Sequence, residues 1–305
     1  MVPMSMDISE CIGADASHQN PFAFLLRFAV FMATIVLAFV FVPTLRREFR
    51  QDLLVSPEIS TLIMGDSHLS LVLDGAEISG IRNLAEPGEA YVFTLAKLRA
   101  CVAENPQIEE VFVGLSYHNI CSAYDARKTM PYYINLLTMT DLQSLLSRHP
   151  NPVFVMEVGK LMANTLLDDQ RYLGGYENEY SQTVVDEQHV QMRIDLSYKE
   201  GETLTRISAA NIRDLLRIRS FCEERGIDCH FLMTPLHPLY LEKVPLEVKT
   251  AFWAMQEKYD LDLWDFSETQ PADQDFLPDG DHLNQEGAAS FEAAFIQRWQ
   301  HLASD

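Results

Sequence analysis

The sequence of 305 residues contains few basic side chains. Lys and Arg number 23 against 44 Asp and Glu, and the formal net charge at pH 7 is −21. A nucleic-acid partner needs a basic surface to neutralise its phosphates, so this composition argues against one. Hydrophobic residues make up 48% of the chain, which is enough for a sizeable core and makes disorder an unlikely description of the whole chain.

Cysteine is also scarce, and its placement excludes the usual metal sites of this residue. The five cysteines form no C-x-x-C pair and no His/Cys spacing typical of zinc. Cys222 and Cys229 flank a predicted helix end and the next strand and could meet, but the odd total leaves at least one thiol without an intrachain bridge. The sequence likewise lacks a P-loop, G-x-G-x-x-G, G-x-S-x-G, H-E-x-x-H and any paired-carboxylate motif. We therefore expect neither a metal nor a cofactor.

One long apolar run lies near the N-terminus. It covers residues 22–42 with Arg27 as its only charge, and at about 1.5 Å per residue it is long enough to cross the roughly 30 Å hydrocarbon core of a bilayer. A cleaved signal peptide is the alternative. However, the preceding residues include Asp7, Glu10 and Asp15 instead of positive charge, and no A-x-A-like site follows. We expect an uncleaved single anchor that binds the chain to a lipid bilayer.

The anchor divides the chain into four parts. Residues 1–21 are predicted to be a tail, residues 43–56 a linker, and residues 57–305 one α/β domain. Three arginines in the linker favour a cytoplasmic domain by the positive-inside rule, and only Arg27 argues for the opposite side.

The order of apolar runs in the domain predicts an open α/β sheet. Strand-length runs lie at residues 59–64, 81–85, 111–115, 229–233 and 261–266. The last three follow segments with helical spacing, and helices are predicted at residues 89–102, 207–224 and 285–302. Strands that alternate with helices imply parallel pairing and right-handed crossovers.

The pattern loosens between residues 151 and 202, where no clear strand is present. We interpret this segment as an insertion into the α/β domain. It either lies over the strand ends, where loops of open α/β sheets commonly contact ligands, or it is a peripheral addition without a role.

A serine follows the first predicted strand directly. The turn Gly65-Asp66-Ser67-His68 places the Ser67 hydroxyl just beyond the carboxyl end of that strand, where a nucleophile can be presented. A hydroxyl is a poor nucleophile until a base takes its proton, and a neutral imidazole is the side chain best suited to this near pH 7.

The candidate base lies in the loop between the last predicted strand and the last helix. This loop contains Asp279, Asp281 and His282, and in a parallel sheet it shares one edge with the turn at Ser67. Asp279, three residues before His282, is suited to orient the imidazole. Asp281 competes for this role, but a residue adjacent to His282 points away from it in most backbone conformations, so we expect Asp281 to cap the turn or the last helix.

Together these residues resemble the SGNH, or GDSL-like, hydrolase superfamily over residues 59–302. The resemblance implies a flavodoxin-like three-layer sandwich in which Ser67 attacks an acyl carbonyl, His282 is the base and Asp279 orients His282. It also implies an oxyanion hole formed by the amide of Ser67, a glycine after the second strand and an asparagine after the third.

Residues that fit these two blocks follow in the expected order. Gly88 fits the second block as an amide donor, and a glycine there lets the backbone approach the developing charge. Asn119 fits the third block, although the usual Gly-x-Asn-Asp is missing, and His118 or Ser116 are the alternatives at that position.

Three histidines are candidates for substrate contact. His68 stands where the family usually has Leu, a variant that looks like the envelope-anchored branches, and it either caps the following helix or binds substrate. His237 lies between two prolines after the fourth strand and either contacts substrate or stiffens the loop, and His118 is the third candidate.

The resemblance and the anchor together imply an acyl-serine enzyme that acts on acylated, above all O-acetylated, carbohydrate of a cell envelope. On that ground the domain is expected outside the cytoplasmic membrane, against the count of linker arginines. The alternative is an accessory or binding protein of a polysaccharide modification or export complex that keeps the fold without efficient catalysis. Whether water or a hydroxyl accepts the acyl group stays open.

Overall fold

The computed structural model describes residues 53–75, 78–124, 136–148, 173–181, 183–269 and 271–302, together with residues 154, 156 and 158–160. The predicted tail and anchor, residues 1–42, lie outside the described residues, as does the linker up to residue 52. Among the described helices, none combines the length and the apolar character that a membrane crossing requires.

A parallel sheet of five strands forms the centre of the domain. Its strands are β1 (Thr61–Met64), β2 (Ile81–Asn83), β3 (Glu110–Gly114), β6 (Asp228–Met233) and β7 (Leu263–Asp265), and a separate hairpin contains β4 (Lys199–Glu200) and β5 (Thr203–Leu204). The order across the sheet is β2-β1-β3-β6-β7, and every pairing in it is parallel. This is the flavodoxin-like order, so the prediction of an α/β fold with a central parallel sheet is confirmed.

Helices connect the strands. They are α1 (Ser67–Ser70), α2 (Tyr91–Glu104), α3 (Met139–Arg148), α4 (Glu187–Tyr198), α5 (Ala209–Arg225), α6 (Pro238–Lys243), α7 (Leu246–Tyr259) and α8 (Gln285–Leu302). Helix α8 has the predicted bounds, and α2 and α5 are shifted by one or two residues. Helix α5 starts at a Ser208 cap, whose hydroxyl accepts a bond from the amide of Asn211, and it ends at Gly226 in the left-handed conformation.

The sheet is covered on both faces because successive side chains of a strand point to opposite sides. Leu62 of β1 belongs to a cluster that includes residues of α2, α5 and α7. Its neighbour Ile63 belongs to a second cluster, with Phe112 of β3 and Phe295 of α8, whose rings meet edge to face at 5.0 Å. The result is a helix–sheet–helix sandwich of three layers.

The described part of the insertion lies along the carboxyl ends of the first two strands. In the stretch 173–181, the amide of Gly175 donates to the carbonyl of Ala85 at 2.9 Å, and Asn178 Nδ2 donates to the carbonyl of Leu71 at 2.7 Å. For this stretch the structure favours a position over the strand ends.

Helix α4, also in the insertion, packs into the main core. Asp186 caps its first turn, and Val190, Ile194 and Tyr198 form its buried face. The hydroxyls of Tyr198 and Tyr240 are 3.0 Å apart, which ties α4 to α6. Helix α4 is therefore part of the folded domain.

Candidate active site

The turn that presents Ser67 depends on a close approach of two backbones. Gly65 has φ +142°, and a Cβ there would lie 3.0 Å from the amide nitrogen of Gly114 at the end of β3. Asp66 Oδ1 then accepts the amide of His68 at 3.0 Å and caps α1. Ser67 is the first residue of this short helix and is half-buried.

The loop after β7 is folded around Asp279. Its Oδ1 accepts the backbone amides of Asp281 at 3.0 Å and His282 at 3.2 Å, the local pattern by which aspartate stabilises turns. Gly280 between them has φ +64°, and a Cβ there would lie 3.1 Å from Cβ of His237. The turn Asp279-Gly280-Asp281-His282 thus places the side chains of Asp279 and His282 next to each other.

The structure brings Ser67, His282 and Asp279 into one hydrogen-bonded chain. Ser67 Oγ lies 2.8 Å from His282 Nε2, and His282 Nδ1 lies 2.8 Å from Asp279 Oδ2. Burial raises the pKa of Asp279, but the charge and hydrogen bond of His282 outweigh burial and hold this pKa below its ordinary value. An ionised Asp279 keeps the proton on Nδ1, so Nε2 is free to accept the proton of the serine.

The amides predicted for the oxyanion hole are available in part. Gly88 follows β2 as expected, is half-buried and has φ +75°. In the part of the chain that the structure describes, neither the amide of Ser67 nor that of Gly88 has a hydrogen-bond partner. Both donors can therefore bind an oxyanion without giving up another bond.

Asn119 is held by hydrogen bonds beside the nucleophile turn. Its Oδ1 accepts the amide of Ser116 at 2.7 Å, and its Nδ2 donates to Asp66 Oδ2 at 2.8 Å, so the side chain joins the third-strand loop to the nucleophile turn. A buried carboxylate thus engages one of the two N–H groups of this amide, and the role of Asn119 as an oxyanion donor stays a prediction. Ser116, one of the two alternatives, donates its own amide to Asn119.

Asp66 is the centre of a buried network. Besides Asn119, its Oδ2 accepts bonds from His118 Nε2 at 2.8 Å and from the Tyr124 hydroxyl at 2.7 Å. Burial opposes ionisation of Asp66, but His118, His68 and the tyrosine outweigh it and hold the pKa of Asp66 well below its ordinary range. Burial also lowers the pKa of His118 despite the neighbouring carboxylate. We conclude that a neutral His118 donates its Nε2 proton to an ionised Asp66.

A row of charged side chains, Arg193, Asp281 and His68, leads to the histidine of the triad. Arg193 Nε donates to Asp281 Oδ2, which lies 3.3 Å from His68 Nε2, and the rings of His68 and His282 are 4.9 Å apart. His68 Nδ1 is 3.1 Å from Thr234 Oγ1. Burial raises the pKa of Asp281, yet Arg193 and His68 hold it well below its ordinary range. Burial lowers the pKa of His68, and Asp281 raises it by more.

The sequence did not predict this row of charged side chains. The expectation that Asp281 caps the turn or the last helix is wrong, since its Oδ2 accepts Arg193 Nε of α4 and its Oδ1 has no hydrogen-bond partner within the described residues. Arg193 lies in the insertion, 88 positions before Asp281, among acids and polar residues that suggest no site. The only sequence signal for the role of Arg193 is its position beside apolar residues that recur at helical spacing.

The predicted substrate contacts have different positions. His68 and His118 are only 5% and 1% exposed, with their rings 4.8 Å apart, so direct contact with substrate is no longer expected for either. His237 caps α6, where its Nδ1 accepts the amide of Leu239 at 3.1 Å, and its Nε2 lies 3.2 Å from Asp273. A contact between His237 and substrate stays a prediction.

Comparison with known proteins gives distant structural similarity. No protein-family model matches the sequence, and no curated protein does. A candidate acylhydrolase from Bacteroides fragilis shares 10% identity, with 79% of this chain and 86% of that chain covered and a TM-score of 0.37. A GDSL-like lipase from Bacteroides thetaiotaomicron shares 10% identity over 85% and 96% of the two chains, with a TM-score of 0.39. A candidate platelet activating factor from Streptococcus pneumoniae shares 13% identity over 92% and 99%, with a TM-score of 0.40.

These scores are too low to carry an argument about function. The fold follows from the chain itself: a parallel sheet in the order β2-β1-β3-β6-β7, with a serine directly after β1 and a histidine in the loop before the last helix. The resemblance to SGNH, or GDSL-like, hydrolases is thereby confirmed at the level of the fold.

Proposed function

We propose that this chain is a serine esterase or O-acyltransferase that forms an acyl-serine intermediate at Ser67. The observation that carries the proposal is the pair of 2.8 Å contacts, Ser67 Oγ to His282 Nε2 and His282 Nδ1 to Asp279 Oδ2. Three side chains that start from opposite ends of the chain meet in the geometry that general-base activation of a hydroxyl requires.

The first half of the reaction follows from this geometry. Ser67 Oγ attacks the carbonyl carbon of an ester while His282 Nε2 takes the serine proton, and the carbonyl oxygen becomes an oxyanion held by the amides of Ser67 and Gly88. Asp279 stabilises the charged imidazole. The intermediate then collapses as the ester bond breaks, and His282 returns the proton to the departing alcohol.

The second half uses the same groups in reverse. A water molecule or a sugar hydroxyl gives its proton to His282 and attacks the acyl-serine. As the second tetrahedral intermediate collapses, the bond to Ser67 Oγ breaks, His282 returns the proton to Ser67 Oγ, and the acid or the new ester leaves. Water as acceptor makes the enzyme an esterase, and a carbohydrate hydroxyl makes it an acyltransferase.

The direct test is covalent labelling of the purified full-length protein with a fluorophosphonate. We expect one label per chain on Ser67 and none on Ser67→Ala. Ser290→Ala is the matched control, because Ser290 is an exposed serine of α8 whose hydroxyl donates to the carbonyl of Glu286, and it should label like the wild type. A folded wild-type protein that does not label would overturn the proposal.

For substrate and location, we propose an acylated carbohydrate of the cell envelope, reached by a domain that residues 22–42 tether to the outer side of the cytoplasmic membrane. The apolar run and the resemblance of the His68 variant to envelope-anchored branches support this. Reporters fused to the C-terminus test the side of the membrane, and activity only of a cytoplasmic reporter would refute it. Acetate release from an O-acetylated polysaccharide, measured with and without a free sugar acceptor, separates hydrolysis from transfer.

One observation favours a second candidate, an accessory protein with little or no catalysis. Asn119 Nδ2 donates to the buried Asp66, so the side chain of the third oxyanion donor implied by the family is not free to rotate. Loss of one such donor lowers kcat by about 10²–10³. Fluorophosphonate labelling that is slow and unaffected by Ser67→Ala, in a protein that still binds acylated polysaccharide, would support this candidate over the first.

A further inference from the structure

Three buried side chains beside the triad each have one polar atom that no hydrogen bond satisfies within the described residues. His68, His118 and Asp281 are 5%, 1% and 0% exposed. One ring nitrogen of each histidine and one carboxylate oxygen of Asp281 lie within 4.8 Å of one another, and this is the only such group of three among the described residues. Within the described part of the chain, His68 Nε2, His118 Nδ1 and Asp281 Oδ1 have no hydrogen-bond partner.

Each of the three residues is held by its other polar atom. His118 Nε2 bonds Asp66 at 2.8 Å, and His68 Nδ1 lies 3.1 Å from the hydroxyl of Thr234. Asp281 Oδ2 accepts Arg193 Nε, which leaves Oδ1. His68 Nε2 is 3.3 Å from Asp281 Oδ2 but is not aligned for a hydrogen bond.

We propose that His68, His118 and Asp281 bind one divalent transition-metal ion of the Zn²⁺ type. Two imidazoles and a carboxylate are ligands that Zn²⁺ accepts, with a fourth position left for water. Histidines that bind metals almost always have the other ring nitrogen fixed by a carboxylate or another polar group, as Asp66 and Thr234 fix these two.

The energetics point the same way. A buried polar atom without a partner costs about 1–3 kcal/mol, and three such atoms in one small volume are unusual unless something binds them. Asp66 and Asp281 supply two negative charges near the cluster, against one positive charge from Arg193. An added cation therefore meets a net negative surrounding.

The geometry requires a small inward movement. Ligand atoms about 2.1 Å from a tetrahedral ion are about 3.4 Å apart. Because the ligand atoms of the cluster lie within 4.8 Å of one another, the widest separation must close by up to about 1.4 Å. The sequence shows no sign of the site, because residues 68, 118 and 281 follow no metal-ligand spacing.

The test uses the full-length protein, stripped with a chelator and then titrated with Co²⁺ and with Zn²⁺. We expect one ion per chain by elemental analysis after gel filtration, visible absorption of a four-coordinate Co²⁺ site, and displacement of Co²⁺ by Zn²⁺. His118→Ala should weaken binding by about 100-fold or more, and Asp66→Asn, which only releases the ring of His118, by about 10–100-fold.

Two controls separate the site from other causes. His237→Ala removes a histidine outside the cluster and should bind like the wild type. Ser67→Ala should also bind fully, which makes the result independent of the proposed acyl-serine chemistry. Circular dichroism of each variant confirms folding, and a metal-dependent rise in the melting temperature of the wild type gives a readout that needs no variant.

Two results would overturn the proposal. One is a folded wild-type protein that retains no ion above the level of the His118→Ala variant. The other is stoichiometric binding that His118→Ala and Asp66→Asn leave unchanged.

Discussion

Replacement of Asp279 by asparagine tests the arrangement of the triad most directly. Asp279 Oδ1 accepts two backbone amides of its own loop, and Oδ2 accepts the Nδ1 proton of His282. In Asp279→Asn the remaining oxygen can keep the two backbone bonds, which leaves the NH₂ group facing the ring. Since this group donates, Nδ1 must accept, and the proton moves to Nε2.

The consequence is an imidazole that cannot activate the serine. With a proton on Nε2, His282 has no lone pair for the Ser67 hydroxyl across their 2.8 Å contact. We expect kcat to fall by about 10⁴-fold, which corresponds to about 5.4 kcal/mol at 1.36 kcal/mol per tenfold change. Because the backbone bonds of the loop survive, the melting temperature should change little.

Hydrolysis of p-nitrophenyl acetate and the rate of fluorophosphonate labelling measure this effect. Asp262→Asn is the matched control, since Asp262 also bonds a histidine ring, His230 Nδ1 at 2.6 Å. Asp262 lies at the amino end of β7, whereas the site lies at the carboxyl ends of the strands. The Asp262→Asn variant should retain wild-type activity. Activity of Asp279→Asn within about tenfold of the wild type would show that Asp279 does not set the tautomer of His282.

Three further substitutions test the scaffold. Burial raises the pKa of Glu110, but hydrogen bonds from His230, Trp299 and Thr61 together outweigh burial and lower this pKa. Burial lowers the pKa of His230, and its carboxylate neighbours raise it by more. The pair therefore stabilises the fold above the unfolded pKa of Glu, about 4.3, and loses that effect as pH rises through the raised pKa of His230. Glu110→Gln should cost about 1 kcal/mol near pH 5–6 and less near pH 8 in urea unfolding, and a cost independent of pH would contradict the pairing. Lys97→Met leaves the carboxylate of Glu89 buried without its cation and should cost about 3–5 kcal/mol, whereas adding Glu89→Gln should recover part of the loss. Gly65→Ala forces a Cβ to 3.0 Å from the next strand at φ +142° and should cost about 1–3 kcal/mol in thermal unfolding together with activity, so a fully active variant would refute the close approach.

Much of the sheet is predictable from sequence because each buried strand is a short apolar run with turn residues on both sides. Helix α4 is not predicted, although its buried residues Val190, Ile194 and Tyr198 recur every four positions. Polar residues separate them, so the helix is only weakly amphipathic and its sequence pattern is faint. Tertiary packing, more than this pattern, decides which face of the helix is buried.

The candidate site is also predictable from sequence only in part. Ser67, Asp279 and His282 are predictable because two short motifs place them at strand ends, and parallel strands bring those ends to one edge. The position of Asn119 and the involvement of Arg193 are not predictable. They depend on which side chains compete for buried carboxylates, and this competition is settled only by the three-dimensional packing.

The 215 positions between Ser67 and His282 have a consequence for folding. The serine leaves the ribosome long before its base and orienting carboxylate exist, and β3 and β6 must assemble between β1 and β7 before the last loop can reach it. Until α8 docks, the hydroxyl has the reactivity of any surface serine. Fluorophosphonate reactivity at Ser67 should therefore report when the final stage of folding is complete. A nascent or partly folded chain should not be acylated at Ser67.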